Sequence, residues 1–205
     1  LPGSEKKYEK ILKKNNLNFN DLKLIIITHA HVDHAGGADA LRLLSGAPIV
    51  AHEGDLKYYL RQEEMTFCPT GIFGRFFLKT GLMFEPYKAF RPDILLSQGQ
   101  KLDLKQYGFQ GYVQHTPGHT AGSISVVLKD QQAFVGDLLA SGILLGGIAF
   151  TNIPKRPPFE ENPIEVANQL KMLVSKGINK FFIGHGGPVN SKIVSKHASE
   201  LIKLK

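Results

Sequence analysis

A short apolar run that ends in a dense group of metal-ligand residues is the feature that most constrains this chain. Residues 24–27 are Leu-Ile-Ile-Ile, too short for a helix and apolar on both faces, which predicts a strand buried on both sides. His29, His31, Asp33 and His34 follow almost at once, just before a pair of glycines. Imidazole and carboxylate groups are ligands that zinc, iron and manganese accept. The segment therefore predicts a metal site at the end of a buried strand.

The spacing of these ligand residues is compatible with one metal or with two. If the loop after the strand stays extended, alternation places His29, His31 and Asp33 roughly on one side of it. A turn at Asp33 and His34 would aim His34 at a neighbouring point. The segment can then supply ligands to two adjacent metals.

Three further ligand residues stand in comparable settings later in the chain. His119 follows Thr-Pro-Gly, Asp137 follows a glycine, and His185 lies between glycines. Each is at the predicted end of a strand, where glycine permits a tight turn that aims a side chain into a cleft. Taken singly, a His or Asp beside glycine is more often an ordinary turn residue. Together, the three are expected to converge on the site formed by the first segment.

The whole chain, residues 1–205, is interpreted as one α/β domain. Its length and its 42% of hydrophobic residues suffice for a single core. The pattern predicts helices at residues 4–15, 38–44, 162–177 and 191–204, and strands at residues 24–27, 48–51, 101–104, 111–115, 123–128, 133–135 and 180–183. Residues 53–92 are predicted to form a mostly helical, aromatic insertion. Residues 94–138 are predicted to form an antiparallel meander.

Composition and charge exclude several classes of protein. No apolar run approaches the roughly 18–20 residues that span a bilayer, so we expect no membrane-spanning segment. The one cysteine, Cys68, cannot form an internal disulfide, which favours a reducing compartment and predicts a cytoplasmic protein. The net charge of +7 would suit nucleic acid, but many lysines alternate with apolar residues at helical spacing near the chain ends. We interpret them as solvated helix faces and expect no nucleic-acid partner.

Taken in order, these motifs resemble those of the metallo-β-lactamase superfamily. The family signature is a strand ending in His-X-His-X-Asp-His, then His after Thr-Pro-Gly, then Gly-Asp, then Gly-His, and every part is present here over nearly the whole chain. The resemblance implies a four-layered αββα sandwich with the metals at one edge between two sheets. It also implies two ligand sets that Asp137 would bridge. The first set is His29, His31 and His119, and the second is Asp33, His34 and His185.

The resemblance also implies the chemistry of the site. Two zinc ions, with iron or manganese as alternatives, would hold a bridging hydroxide that attacks the carbonyl carbon of a lactone, ester or thioester. Asp33 is the expected catalytic residue, since it would orient the hydroxide and carry a proton to the leaving group. The predicted function is a binuclear zinc-dependent hydrolase acting on a small-molecule substrate.

Other functions stay open at this level. A persulfide dioxygenase shares much of the motif but uses one iron and performs an oxidation. A phosphodiesterase or ribonuclease acting on RNA is a further alternative, although no extended arm between His119 and His185 would hold RNA. The complete ligand set disfavours a binding protein without turnover. A true β-lactamase is disfavoured because such enzymes carry cysteine where this chain has Asp137, and a glyoxalase II because few residues follow His185.

Two segments could set the choice of substrate. Residues 65–90 are rich in phenylalanine and form either an apolar wall over the metals or a helical hairpin packed on the core or on the second subunit of a homodimer. The loop of residues 146–159 is a second candidate wall, with Phe150 and Phe159 as its expected contacts. The remaining histidines match no ligand position and are interpreted as structural or surface residues: His52, His115 and His197.

The beginning of the chain bears on the length of the native protein. In the family that these motifs resemble, the His-X-His-X-Asp-His strand is normally preceded by several strands and by an Asp-X-Gly turn. Leu1, Pro2 and Gly3 resemble the end of that turn, so the family's N-terminal strands are expected to be missing from this chain. We expect a native protein longer by roughly 40–60 residues if its sheet has the usual number and length of strands.

Overall fold

The computed structural model describes residues 1–143 and 148–204. Within these ranges it has seven helices: α1 (Glu5–Lys14), α2 (Val32–Ala35), α3 (Ala38–Ser45), α4 (Leu56–Tyr59), α5 (Gly71–Lys79), α6 (Pro163–Ser175) and α7 (Ser191–Leu201). The same ranges contain eleven strands: β1 (Ile25–Ile26), β2 (Ile49–His52), β3 (Ile94–Leu96), β4 (Lys101–Asp103), β5 (Gly111–His115), β6 (Ile124–Leu128), β7 (Gln132–Phe134), β8 (Ala140–Ser141), β9 (Pro154–Lys155), β10 (Lys180–Phe182) and β11 (Val189–Asn190). Residues 146 and 147, at the start of the second predicted wall, and residue 205 lie outside the described ranges.

The strands form two main sheets. The first is parallel, in the order β1-β2-β3, with Ile25 opposite Ile49. The second has the order β11-β10-β7-β6-β5-β4 and is antiparallel except where β10 runs parallel to β7. Strands β8 and β9 form a small antiparallel ribbon. The predicted meander is confirmed in β4 to β7, whereas β3 joins the other sheet.

The two sheets pack face to face, with helices on both outer faces. The alternation of side chains along a strand explains the arrangement, because neighbouring residues point to opposite faces. Ile49 of β2 packs against α3 and α4, while its neighbour Val50 faces the second sheet. The layer between the sheets contains Val50, Leu96, Leu104, Val113, Ile124 and Val126. On the far side, Phe181 of β10 packs against α6 and α7. The predicted four-layered αββα sandwich is confirmed.

The helix boundaries follow from local chemistry. The Asn162 side chain accepts a hydrogen bond from the Glu165 amide, and Pro163 occupies the first helical position of α6. Beyond the other end of α6, Gly177 has a φ of +84°. Helix α3 ends at Gly46, whose φ of +70° lies in the left-handed region that glycine adopts without strain. These helix ends match the sequence-based expectations within two residues.

Residues 53–92 differ from the prediction of a mostly helical insertion. The segment contains α4, α5 and two short 3₁₀ turns, Glu53–Asp55 and Leu82–Phe84. The remainder is irregular, because prolines restrict their neighbours and lack a backbone donor. Such prolines are Pro69, Pro86 and Pro92.

The first predicted strand is also shorter than expected. Only Ile25 and Ile26 of residues 24–27 pair as strand. The run nevertheless contacts apolar clusters on both faces, with Ile25 and Ile27 on one side and Leu24 and Ile26 on the other. Within the described residues, no helix is long and apolar enough to cross a membrane. That residues 1–205 form one domain stays a prediction.

Candidate metal centre

The first ligand-rich segment does not stay extended. The amides of His34 and Ala35 both donate to the carbonyl of His31, at 3.0 and 2.8 Å, so α2 begins directly after His31. The expectation that alternation sets the side-chain directions was therefore wrong beyond His31. The helical turn instead directs Asp33 and His34 toward a second group of ligand atoms. This agrees with the other expectation, that the chain turns at these two residues.

The three later ligand residues lie at strand ends, as predicted. His119 is in the turn between β5 and β6, Asp137 follows β7, and His185 follows β10. Two glycines allow the loops that carry these residues to pass close to neighbouring atoms. Gly118 has a φ of +124°, and a Cβ there would lie 2.6 Å from the Val166 amide. A side chain at Gly184 would collide with the Asp137 carboxylate.

Three histidine nitrogens converge on one point. The His29 Nε2 atom lies 3.1 Å from His31 Nδ1 and 3.1 Å from His119 Nε2, and the last two are 3.2 Å apart. Donors bound at about 2.0–2.1 Å to one tetrahedral zinc lie about 3.3 Å from each other. A neutral imidazole has only one N–H, so the three converging nitrogens cannot all be paired by hydrogen bonds to one another. A cation shared by the three would bind the lone pair of each nitrogen. The group therefore fits a divalent metal.

A second group lies beside the first. The Asp33 Oδ2 atom is 3.0 Å from His185 Nε2 and 3.6 Å from His34 Nε2. Asp137 lies between the groups: its Oδ1 is 3.5 Å from His34 Nε2, and its Oδ2 is 3.5 Å from His185 Nε2 and 4.0 Å from His119 Nε2. The structure thus brings together all seven predicted ligand residues.

Buried polar atoms in the second group support the same fit. Asp33 Oδ1, His34 Nε2 and Asp137 Oδ1 are buried without a hydrogen-bond partner among the described residues. An unpaired buried carboxylate oxygen is costly, and coordination of a cation removes that cost. Mixed imidazole and carboxylate donors suit zinc, iron and manganese.

The electrostatics favour the ligand forms of Asp33 and of the three histidines in the first group. Burial lowers the pKa of His29 and His31 well below its usual value, and lowers the pKa of His119 to about 4. Neutral imidazole is the form that binds a metal. Burial alone would raise the pKa of Asp33, but the hydrogen bond with His185 and the neighbouring His34 lower that pKa to about 2. Asp33 is therefore a carboxylate at neutral pH. In the second group burial opposes the charged form of His34, but the neighbouring Asp137 carboxylate raises the pKa of His34 and favours its protonated form.

Comparison with known proteins decides the family. The family model described as the metallo-beta-lactamase superfamily matches residues 1–185. The chain belongs to the metallo-β-lactamase superfamily. As a member, it is a metal-dependent hydrolase of a superfamily that uses divalent metals.

Several relatives carry hydrolase names. The chain is 26% identical to "Probable metallo-hydrolase MJ0888" of Methanocaldococcus jannaschii, over 90% of this chain and 80% of that protein. It is 32% identical to the hydroxyacylglutathione hydrolase GloC of Haemophilus influenzae, over 75% of this chain and 64% of GloC. The chain thus spans less than two thirds of GloC. The crystal structure of the archaeal superfamily member ST1585 from Sulfolobus tokodaii shares the fold, with a TM-score of 0.62 and 22% identity over 90% of this chain and 69% of that chain.

One residue at this metallo-β-lactamase site was missed by the sequence analysis. The side chain of Asp55 is buried and accepts from the Ala30 amide at 3.0 Å, the Thr120 hydroxyl at 2.8 Å and the Gly122 amide at 2.8 Å. Ala30 lies between two ligand histidines, and Thr120 directly follows His119. One carboxylate therefore ties together both histidine-bearing loops. Nothing local to Asp55 signals this role, because its partners are 25 to 67 residues away.

The aromatic segment of this superfamily member is divided between two environments. The Phe67 ring lies 5.1 Å from the His31 ring and 4.8 Å from Phe159, which also lies 6.3 Å from His31. The apolar-wall interpretation thus holds for these rings. Farther along, Phe90 is buried against Tyr59 in the core, as the hairpin interpretation required. Phe76 is 67% exposed, and its packing on a second subunit stays a prediction.

The remaining sequence-based expectations can be placed in the metallo-β-lactamase fold. Phe159 of the second predicted wall is at the site, whereas Phe150 is exposed and is not among the described residues that line the cavity beside the ligands. The Thr28 hydroxyl lies 3.1 Å from His29 Nδ1. The non-ligand histidines lie outside the three ligand groups: His52, His115 and His197. The first two stack on each other with ring centroids 3.6 Å apart.

Proposed function

We propose that this metallo-β-lactamase-superfamily chain is a binuclear zinc hydrolase that cleaves a lactone, ester or thioester. The observation that carries the proposal is the pair of adjacent ligand groups with Asp137 between them. In this proposal His29, His31 and His119 would hold one zinc, Asp33, His34 and His185 would hold the other, and Asp137 would be available to both sites. The name of the GloC relative, a hydroxyacylglutathione hydrolase, supports a carbonyl substrate.

The bound ions would supply Lewis-acid chemistry, by lowering the pKa of a water and by polarising the substrate carbonyl. In the reaction, a water oxygen bonds to the acyl carbon, the bond from that carbon to the leaving oxygen or sulfur breaks, and a proton moves to the leaving atom. In this proposal Asp33 would hold that proton. Its Oδ2 atom lies 3.0 Å from His185 Nε2, Oδ1 has no hydrogen-bond partner among the described residues, and the residue lines the cavity.

The other residues of the chain position these groups and exclude water. Asp55 fixes the two histidine-bearing loops, and the Thr28 hydroxyl can accept from His29 Nδ1, which leaves Nε2 of that ring as the ligand atom. Phe67 and Phe159 cover His31 and limit the access of bulk water. Water exclusion strengthens the electrostatic interactions within the site.

Metal analysis combined with a substrate panel tests the proposal. The protein is purified, its zinc, iron and manganese contents are measured, and it is assayed with a lactone, an ester, a thioester, a phosphodiester and a persulfide. Two equivalents of zinc with carbonyl hydrolysis would support the proposal. One iron with oxygen consumption on the persulfide would replace it by an oxidation, and phosphodiester cleavage alone would replace it by a nuclease activity.

A further inference from the structure

A cavity of about 300 Å³ opens beside the metal ligands. Five of its lining residues belong to the ligand groups: His31, Asp33, His119, Asp137 and His185. The remainder of its wall is largely apolar, with Phe77 and Leu82 from the aromatic segment and Phe159 from the facing loop. A substrate whose carbonyl reaches the ligand groups must therefore place adjoining atoms against this wall.

Outside the ligand histidines, the described residues that line the cavity offer no positive side chain to a substrate. Among the described residues that line it, none is lysine or arginine, although the chain as a whole carries a net charge of +7. Outside the ligand groups, Glu85 is the one charged side chain among the described lining residues, and Leu1, which also lines the cavity, carries the amino terminus of this chain. Away from the metal ligands and from Leu1, a carboxylate or phosphate on the buried part of a substrate would lose its hydration without gaining a positive side chain from the described lining residues, and it would be repelled by Glu85.

The apolar wall is held in place by backbone contacts as well as by ring packing. The Thr70 amide donates to the Pro158 carbonyl at 2.8 Å, and the Glu160 amide donates to the Cys68 carbonyl at 3.0 Å. The Phe77 and Phe159 rings are 6.0 Å apart. These contacts hold the start of α5 against the loop that bears Phe159, so this part of the wall is a preformed surface. A preformed surface reduces the entropy lost when an apolar group binds.

The size of the cavity limits the group that fits. At about 30 Å³ for each water-sized unit in a liquid, a volume of about 300 Å³ holds roughly ten non-hydrogen atoms. An acyl group of about eight carbons with its carbonyl oxygen matches that volume.

We infer that the buried part of the substrate is an uncharged, medium-length alkyl acyl chain that lies along Phe77, Leu82 and Phe159. This inference rests on the proposed carbonyl hydrolysis and specifies its substrate class. It departs from the polar hydroxyacyl group in the name of the GloC relative, because the described wall residues along which the chain would lie, Phe77, Leu82 and Phe159, have no side-chain group that pairs with a hydroxyl or a charge.

A series of p-nitrophenyl esters from acetate to decanoate measures the chain preference of the zinc-loaded protein. Each added methylene should raise kcat/KM by roughly threefold to fourfold, as for burial of one methylene, up to about eight carbons. The half-ester of octanedioic acid, which ends in a carboxylate, should be at least roughly tenfold poorer than the octanoate ester. Equal kcat/KM values along the series would overturn the inference.

Two neighbouring phenylalanines provide matched variants. Phe77→Ala should reduce the increase in kcat/KM per added methylene, because Phe77 lines the cavity. Phe76→Ala should retain the wild-type gain, since Phe76 is on the same helix but is 67% exposed. Leu82→Ala provides a second wall variant at a 60% exposed position, where folding is little affected. Loss of the gain in all three variants, or in none of them, would contradict the assigned wall.

Binding of unreactive carboxylates separates this inference from the proposed function. Calorimetry with butanoate, hexanoate and octanoate should show affinity rising with chain length in the wild type and in Phe76→Ala, and a smaller rise in Phe77→Ala. Hydrolysis of no carbonyl substrate, together with this binding pattern, would overturn the proposed function and support the apolar wall. Ester hydrolysis without any chain-length dependence in binding or turnover would support the proposed function and overturn the inference of an apolar acyl wall.

Discussion

Asp33 is both a candidate metal ligand and a residue that lines the cavity beside the ligand groups. Its Oδ2 atom lies 3.0 Å from His185 Nε2, and the residue is in the helical turn α2 that also positions His34. Its side chain makes no contribution to the three apolar clusters. Its removal should therefore affect chemistry and metal binding more than folding.

Asp33→Ala should lower kcat by roughly 10²–10⁴-fold, the range for loss of a general acid or base, while the fold is retained. Steady-state kinetics at saturating zinc, metal content and thermal unfolding are the measurements. Asp130→Ala, at an exposed position, serves as the control and should match the wild type. Wild-type turnover by Asp33→Ala would exclude the assigned role.

Asp55 acts through other residues and is predicted to be a positioning residue. Its two oxygens accept three hydrogen bonds from the two histidine-bearing loops, and asparagine would place N–H groups against these donors. Asp55→Asn should weaken zinc binding by about 10–100-fold, as for other groups that orient ligands. Chelator competition gives the zinc Kd, and excess zinc should restore part of kcat.

Asp39→Asn is the matched control for Asp55→Asn. Asp39 is also a buried carboxylate, but it pairs with Arg42 at 2.5 Å and with Lys88 at 2.8 Å, outside the ligand groups. The Asp39→Asn substitution should lower the melting temperature and leave the zinc Kd unchanged. If both variants lowered stability and neither changed the zinc Kd, Asp55 would have a structural role only.

At the scale of elements, the ends of helices and strands determine which loops meet. Asn162 caps α6 through its side chain, while its backbone amide donates to Gly118 beside His119, at 2.8 Å. The cap and the tie to the ligand loop thus come from different atoms of one residue. Asn190 caps α7 in the same way through Ile193, at 3.0 Å.

Asn162→Ala and Asn190→Ala should each lower the free energy of unfolding by about 1 kcal/mol, because each removes one side-chain cap. Neither should change the zinc Kd, since the backbone tie to Gly118 is retained in Asn162→Ala. Denaturant unfolding and chelator competition are the measurements. A selective loss of zinc affinity in Asn162→Ala would show that the side-chain cap, and not the backbone contact, positions His119.

At the scale of the whole molecule, the ligand groups connect both sheets. His29 and His31 follow β1 of the first sheet, whereas Asp137 and His185 follow β7 and β10 of the second. A ligand that binds only the folded state stabilises it by mass action. Metals bound here would cross-link the two halves of the sandwich.

Removal of metal should therefore lower the melting temperature. At zinc concentrations about 100-fold above Kd, zinc binding adds about 2.7 kcal/mol to the free energy of unfolding. For a chain of this size, that corresponds to a melting temperature higher by roughly 5–10 °C. Thermal unfolding is followed with and without a chelator, and zinc is then added back. A melting temperature that is independent of zinc would contradict binding across the two sheets.

Buried histidines outside the metal centre should make stability depend on pH. Burial lowers the pKa of both His52 and His197 from the ordinary 6.5 to about 4. Between these two values the unfolded chain takes up protons that the folded chain does not, so stability falls as pH decreases from about 6.5 to about 4. Each histidine contributes at most about 3 kcal/mol.

His197→Gln should show a smaller decrease in melting temperature between about pH 7.5 and about pH 5 than the wild type, because glutamine does not titrate. His52→Gln should behave similarly. Both are measured in the presence of chelator, so that proton competition with zinc does not contribute. Identical pH dependence in all three proteins would show that these histidines are not the source.

The sequence alone indicated the seven ligand residues, their order and the αββα class. The fold class is confirmed, and the structure brings the seven residues together, while their role as ligands stays a prediction. They could be found because each lies at or shortly after the end of a strand or in a glycine-flanked turn, where local spacing and backbone freedom are visible in the sequence. The start of α6 at Asn162 and Pro163 was predictable for the same reason. The segment of residues 53–92 was not, since its proline-interrupted chain follows contacts with other segments more than its own periodicity.

The tertiary structure alone decided which residues support the ligands and which surround the substrate cavity. Asp55 reaches its partners across 25 to 67 residues, and Asp33 meets His185 across 152 residues. Of the neighbouring Phe76 and Phe77, only the second faces the cavity. Sequence determines which side chains are present and how they are locally directed, but the packing of distant segments decides what each one contacts, because those contacts form only when both segments are folded against each other.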